Sequence, residues 1–264
     1  MKNRIVVITG ASKGIGAELA RQLAAKGARL VLAARNAGEL EAVAVQCRAA
    51  GATAITVKAD VALERDCQAI MSGAVLAFGG IDVLVNNAGA SMWARFEDIE
   101  DLSILERIMQ VNYMGAVYCT RHALPYVRAA RGVLVGVSSL AGRTGVPTRT
   151  GYCASKHAMT GFFDALRIEL ADSGVAVTMI YPGFVATGIR ENATGPDGKP
   201  ILVSPVKEGE VMGVEECARI IVAAIEARKR EVIMTARGKI GLWLKLLAPS
   251  LVDRIARRAI ERGR

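Results

Sequence analysis

The sequence predicts an α/β fold: a doubly wound parallel sheet in a single domain, with a helical extension at the C-terminus. Three observations carry this. Short, β-branched, continuously apolar runs recur along the first two thirds of the chain, as in strands buried on both faces of a sheet. Longer amphipathic blocks alternate with them, which makes the strands parallel and puts helices on both faces. Finally, 264 residues with 52% hydrophobic and 22% charged content can bury one large core, and this excludes general disorder.

In chain order, strands are predicted at 4–9, 29–34, 54–58, 82–86, 132–138 and 175–181. Helices are predicted at 15–26, 38–50, 63–78, 101–129 and 151–173. Beyond Tyr181 the alternation lapses. Residues 184–213 carry turn signals such as Gly195-Pro196-Asp197-Gly198 and read as a long irregular insertion. A helix at 214–228 and a short strand at 231–235 complete a domain of residues 1–238, and 239–264 form a basic amphipathic extension.

Composition narrows the function classes. Five dispersed cysteines form no CxxC pair, which suits a reducing compartment. Two histidines and no cysteine cluster leave no metal site to expect. No apolar run is long enough to span a bilayer, and Met1 leads at once into a strand with no room for a signal peptide, so a cytoplasmic location is expected. The net charge of +9 is lopsided: residues 228–264 hold 11 basic and 3 acidic residues, a local +8 that leaves +1 for the rest. With the excess confined to one segment, a nucleic-acid partner is not expected.

The first strand runs directly into Thr9-Gly10-Ala11-Ser12-Lys13-Gly14-Ile15-Gly16 at the start of a helix. Glycines permit the tight turn and close approach of a pyrophosphate, and the amides of the helix N-terminus receive the anion. The second strand ends Ala34-Arg35-Asn36, with no carboxylate to accept bonds from an adenosine ribose. Arg35 and Lys13 instead supply two cations for a 2′-phosphate, so NADP(H) is the expected cofactor.

Tyr152 and Lys156 lie four apart, hence on one face of a helix. A nearby cation can lower the pKa of a phenol enough for acid–base work. Thirteen residues before Tyr152, Ser138-Ser139 put hydroxyls at the carboxyl end of a parallel strand, where open α/β sheets hold ligands.

These motifs together resemble the short-chain dehydrogenase/reductase family over about residues 4–235, which implies a Rossmann-like fold. Gly10, Ser12, Lys13, Gly14, Ile15 and Gly16 match its cofactor loop, and Asp60-Val61 match its adenine-contacting pair. Asn87, Ala88 and Gly89 belong to an Asn-Asn-Ala-Gly motif that runs along the cofactor. Asn112, Ser139, Tyr152 and Lys156 match the catalytic tetrad; spacing favours Ser139 over Ser138. Pro182, Gly183, Val185 and Thr187 match the segment that holds the nicotinamide carboxamide. The resemblance implies that Tyr152 gives a proton to a carbonyl oxygen as NADPH delivers hydride, while Ser139 hydrogen-bonds that oxygen. It implies that Lys156 binds the nicotinamide ribose and lowers the tyrosine pKa, and that Asn112 holds a relay water. It also implies a homodimer or homotetramer, built on helices 101–129 and 151–173, the second carrying the small residues Ala158, Gly161 and Ala165.

Met92, Trp93 and Phe96, with Val146 and Phe184, are expected beside Ser139 and Tyr152 as an apolar substrate wall for a lipophilic carbonyl compound or secondary alcohol. A 3-oxoacyl thioester reductase is the enzymatic alternative, and a nucleotide-binding regulatory or scaffold protein the non-enzymatic one. His157 and Cys153 read as structural. In the extension, Leu251, Val252, Ile255, Ala256, Ala259 and Ile260 fill half of a helical wheel, opposite Arg254, Arg257, Arg258, Glu261 and Arg262. Beside Trp243, this composition suits either peripheral contact of 239–264 with an anionic membrane or a cap on the pocket or on a subunit.

Overall fold

Parallel pairing in the order β3-β2-β1-β4-β5-β6-β7 builds one seven-stranded sheet in the computed structural model, which describes residues 1–189, 191–202 and 211–262. The strands are β1 (Ile5–Thr9), β2 (Arg29–Ala34), β3 (Ala54–Lys58), β4 (Val83–Asn86), β5 (Val133–Val137), β6 (Ala176–Tyr181) and β7 (Glu231–Ile233). All six pairings are parallel. Successive strand residues serve opposite faces: Val6 and Ile8 pack in one apolar cluster and Val7 in the other. One face is covered by α1 (Gly14–Ala25), α2 (Ala37–Ala49) and α7 (Val214–Glu226), the other by α3 (Glu64–Phe78), α5 (Gly115–Ala129) and α6 (Thr150–Glu169).

The helix expected at 101–129 divides. α4 (Ser103–Met109) passes through a π-helical turn at Gln110–Met114 before α5 begins, and Asn112 sits in that turn. Such turns widen a helix by one residue and frequently mark functional sites. The helix expected at 151–173 ends at Glu169, and a single 3₁₀ turn, Ala171–Ser173, follows it. The final strand stops at Ile233 rather than at 235.

Gly136 in β5 faces α6. A Cβ there would lie 2.7 Å from Met179 Sδ and 2.9 Å from the Phe163 ring, so this missing side chain lets α6 sit close on the sheet.

Within 184–213, residues 190 and 203–210 lie outside the described residues. The described remainder is irregular, tied by isolated bridges of Met92 to Thr194 and Val185 to Met212. The extension folds as α8 (Ala236–Leu247) and α9 (Pro249–Arg262); α8 starts three residues before 239, capped by Thr235, whose Oγ1 accepts from Gly238 N at 3.0 Å. The side chains expected on the α9 wheel at 259–262 lie outside the described ones. Among the described residues no helix is long and apolar enough to cross a membrane, and no group of three His, Cys, Asp or Glu could hold a metal ion.

Candidate active site

In the strand order β3-β2-β1-β4-β5, the winding reverses between β1 and β4, and an open sheet of this kind leaves a crevice there at the strands' carboxyl ends. A cavity of about 770 Å³ lies there. At its floor Gly10 takes φ 66°, a left-handed backbone that other residues rarely adopt, and a Cβ on it would lie 2.8 Å from Ala88 Cα. The turn is tied to the loop after β4 through Asn87, whose Nδ2 donates to Thr9 O at 2.9 Å and Gly10 O at 3.2 Å. Lys13 at the N-cap of α1 makes no side-chain cap, and Gly14 and Ile15 of the first turn line the cavity, an arrangement suited to an anion.

Gly10, Ser12, Lys13, Gly14, Ile15, Arg35, Asp60, Val61, Asn87, Ala88, Gly89, Pro182, Gly183, Val185 and Thr187 line this cavity, with Ser139, Tyr152 and Lys156. Gly16 is behind the turn, where its missing side chain makes room for the Gly10 carbonyl. At the end of the cavity beside β2 the expected pair of cations meets a complication. Lys13 Nζ lies 2.7 Å from Glu39 Oε1, an acid from the first turn of α2 that reaches back into the cavity. The β2 tip itself carries no carboxylate, yet the helix that follows supplies one.

At the other end, β5 and α6 bring the reactive groups together. Ser138 is buried, and its Oγ donates to Lys156 O at 3.2 Å. Ser139, at the start of the 3₁₀ turn Leu140–Gly142, is half-buried in the cavity wall and accepts from Ala141 N at 3.2 Å. Lys156 is buried, with Nζ donating to Val137 O at 2.9 Å and standing 5.9 Å from the Tyr152 ring centre. Burial lowers its pKa to about 8.

Burial raises the Tyr152 phenol above the usual tyrosine value, while the Arg149 guanidinium and a hydrogen bond with Ser139 pull it back. Arg149 is a cavity residue beside the phenol that sequence reasoning missed. It is buried in the cavity wall, with its guanidinium 4.6, 5.4 and 5.6 Å from the ring centres of Trp93, Tyr152 and Phe184. The cation nearest in effect to the phenol is therefore one the motif does not contain. A Tyr-x-x-x-Lys pattern gives no reason to look three residues upstream.

Asn112 stands behind the cavity. Its Nδ2 donates to Ala90 O and Ser155 Oγ, both at 2.9 Å, and its Oδ1 accepts from Ala90 N at 2.7 Å. Both amide hydrogens are thus engaged within the protein.

The expected substrate wall forms in part. Val146 and Phe184 line the cavity, joined by Leu140 and by Val252, Ile255 and Ala256 of α9. Met92 instead is fully buried in a small core with Ile104, Ile108 and Cys153, because its loop is drawn inward by the bridge to Thr194. Trp93 backs the cavity through Arg149, and Phe96, in a short exposed turn, is 59% accessible. Cys153 is buried and its thiol is raised by burial, and His157 Nδ1 is 2.8 Å from Cys153 O within its own helix.

The family model described as "short chain dehydrogenase" matches residues 4–197. This chain belongs to the short-chain dehydrogenases. It is 35% identical over 258 residues, 96% of this chain and 80% of the other, to a "Dehydrogenase/reductase SDR family protein 7-like" of Dictyostelium discoideum. It is 36% identical over 256 residues, 96% of this chain and 83% of the other, to "11-beta-hydroxysteroid dehydrogenase-like 4A" of Arabidopsis thaliana. Among solved structures, a short-chain dehydrogenase/reductase from Burkholderia phymatum in complex with NAD has TM-score 0.86 and 28% identity, covering 95% of each chain. An alcohol dehydrogenase from Thermococcus sibiricus complexed with 5-hydroxy-NADP shares the fold, with TM-score 0.76 and 24% identity over 88% of this chain and 96% of that one. This short-chain dehydrogenase is thus an oxidoreductase acting on CH–OH groups.

Proposed function

We propose that this short-chain dehydrogenase uses NADP(H) to interconvert a carbonyl and a secondary alcohol on a small lipophilic molecule. The observation that carries the reading is the meeting of Ser139, Tyr152 and Lys156 in the cavity whose floor is the glycine turn and the uncapped start of α1. Those residues fit a dinucleotide: amides for its pyrophosphate, Arg35 and Lys13 for a 2′-phosphate, and Lys156 beside Tyr152 for the nicotinamide ribose. Bound there, the cofactor supplies or accepts the hydride.

Tyr152 acts on the substrate oxygen. With its pKa raised by burial, the phenol stays protonated near neutral pH and is poised to donate as negative charge develops on that oxygen. Ser139 holds the same oxygen, and both donors sit in place before the reaction begins. Arg149 partly offsets the rise that burial causes and so favours the phenolate, the form of Tyr152 that accepts the alcohol's proton in the oxidative direction.

Asn112 positions the site through Ala90 and Ser155. An atom at the Cβ position of Gly89 would be 3.2 Å from Asn112 Oδ1 and 3.5 Å from Lys156 Nζ. The closeness of both groups to this one glycine supports a water relay between them.

Val146, Leu140, Phe184 and the α9 side chains support a lipophilic substrate, as does the hydroxysteroid dehydrogenase in the name of the Arabidopsis relative. A homodimer or homotetramer is supported by the outward face of α6, where Ala154, Gly161, Ala165 and Ile168 are exposed and a Cβ at Gly161 would meet open space. The test is a turnover screen of lipophilic ketones, alcohols and carrier-bound 3-oxoacyl thioesters with both cofactors, run beside Tyr152→Phe. The variant is expected to bind cofactor and turn nothing over. Near wild-type turnover in it would end the assignment.

A further inference from the structure

The extension presents two different faces. The inner side of α8 is held by Gly238, where a Cβ would lie 2.8 Å from Leu140 Cδ2, and by Lys245, whose Nζ donates to Arg143 O at 2.9 Å. With that side fixed against the turn that follows Ser139, the opposite stripe of α8 is forced outward. Ile240, Trp243 and Leu247, spaced three and four apart, are 66%, 72% and 84% exposed, with Leu246 beside them. Leu251 and Ile255 of α9 add to the exposed apolar surface. A folded domain rarely leaves so much contiguous apolar surface in water unless something covers it.

Charge identifies the cover. Apart from Lys245, which is tied down on the inner side, residues 236–258 hold five basic side chains (Arg237, Lys239, Arg254, Arg257 and Arg258) and one acidic one, Asp253. A second copy of the chain meeting this face across a two-fold axis would set basic against basic. An anionic bilayer meets both halves of the surface: lipid headgroups take the lysine and arginines, and the headgroup–acyl boundary takes the leucines and the tryptophan ring. We propose that the outward face of α8 and α9 docks this protein peripherally on an anionic lipid bilayer, with the cavity opening at that surface. The second clause follows from α9 itself, since Val252, Ile255 and Ala256 line the cavity while Leu251 and Ile255 are exposed, so one helix carries both cavity wall and open apolar surface. A lipophilic substrate, under the reading above, would then pass between bilayer and cavity along α9. Docking requires neither cofactor nor turnover, so it stands or falls apart from that reading.

The test is flotation of the full chain with vesicles of phosphatidylcholine containing about a third phosphatidylserine, against phosphatidylcholine alone. Wild-type protein is expected to float with the anionic vesicles at low salt and to be largely released at about 1 M salt, where the screening length falls to about 3 Å. The Trp243→Glu/Leu247→Glu variant is expected to lose about tenfold or more of the bound fraction, while keeping its melting temperature and its turnover of a water-soluble ketone. Equal flotation of both proteins, or of neither, would overturn the proposal. So would a fall of the lipid-free variant to a smaller species in sedimentation velocity, which would assign the face to a subunit contact.

Discussion

Replacing Lys156 with methionine turns the burial of one ammonium group into a measurable dependence of stability on pH. In the folded chain its pKa is about 8, against 10.5 for an exposed lysine. At about 1.4 kcal/mol per unit, the buried charge costs about 3 kcal/mol. Below pH 8 the side chain is protonated in both folded and unfolded states, so the whole cost is present. Between pH 8 and 10.5 the native protein releases a proton that the unfolded chain keeps, so stability rises with pH. Above 10.5 the cost has gone. Going from about pH 7 to about pH 9.5 should therefore recover about 2 kcal/mol in wild-type protein and nothing at this position in Lys156→Met. Urea unfolding of both cofactor-free proteins at the two pH values measures this as a difference of differences. Titrating groups remote from Lys156 cancel in it. Stability curves that run parallel would refute the argument that this lysine is held charged against its surroundings.

Wild-type protein should bind NADPH more tightly than NADH, and Lys13→Ala with Arg35→Ala should remove most of that preference by isothermal titration; equal affinities in the unaltered protein would sink the assignment. Glu39→Gln should increase the preference by about two- to fivefold, the range of an exposed ion pair, because it frees Lys13. Arg149→Met should move the Tyr152 phenol to higher pH in an ultraviolet difference titration and lower kcat more than it raises KM, while Arg149→Lys should restore part of the titration; an unmoved phenol would exclude an electrostatic role. Light scattering should find a dimer or tetramer, and Gly161→Arg, which has open space within its own subunit, should give a smaller species.

Much of the fold could be read in advance because each central strand is apolar on both faces. That pattern is strong enough to place β1 to β6 within a residue or two of their observed bounds. The glycine turn and the Tyr152–Lys156 pair were legible for a related reason, since both are local motifs whose geometry follows from spacing. What stayed hidden depends on contacts between distant parts of the chain. The π-helical turn at Gln110–Met114 leaves no mark on hydrophobic periodicity, although it sets Asn112 against Ala90 and Ser155. Arg149 reads as an ordinary charged residue until three aromatic rings from three segments close around it. Glu39 sits five residues beyond Ala34, and only the start of α2 turns it back toward Lys13. Met92 looked like substrate wall because apolar weight in a loop does not say which way the loop folds.

Gly136 makes the reaction centre hostage to an absent atom. Ser139 hangs from the end of β5, and Tyr152 and Lys156 ride on α6; the distance between the two platforms is gauged where Phe163 and Met179 close over this glycine. A single methyl would act as a shim, prising the helix from the strand and carrying the phenol away from the serine hydroxyl. Displacements of about 1 Å can cost two orders of magnitude in rate. The spacing of the phenol and the serine hydroxyl is thus machined into the sheet, at a position that touches neither of them.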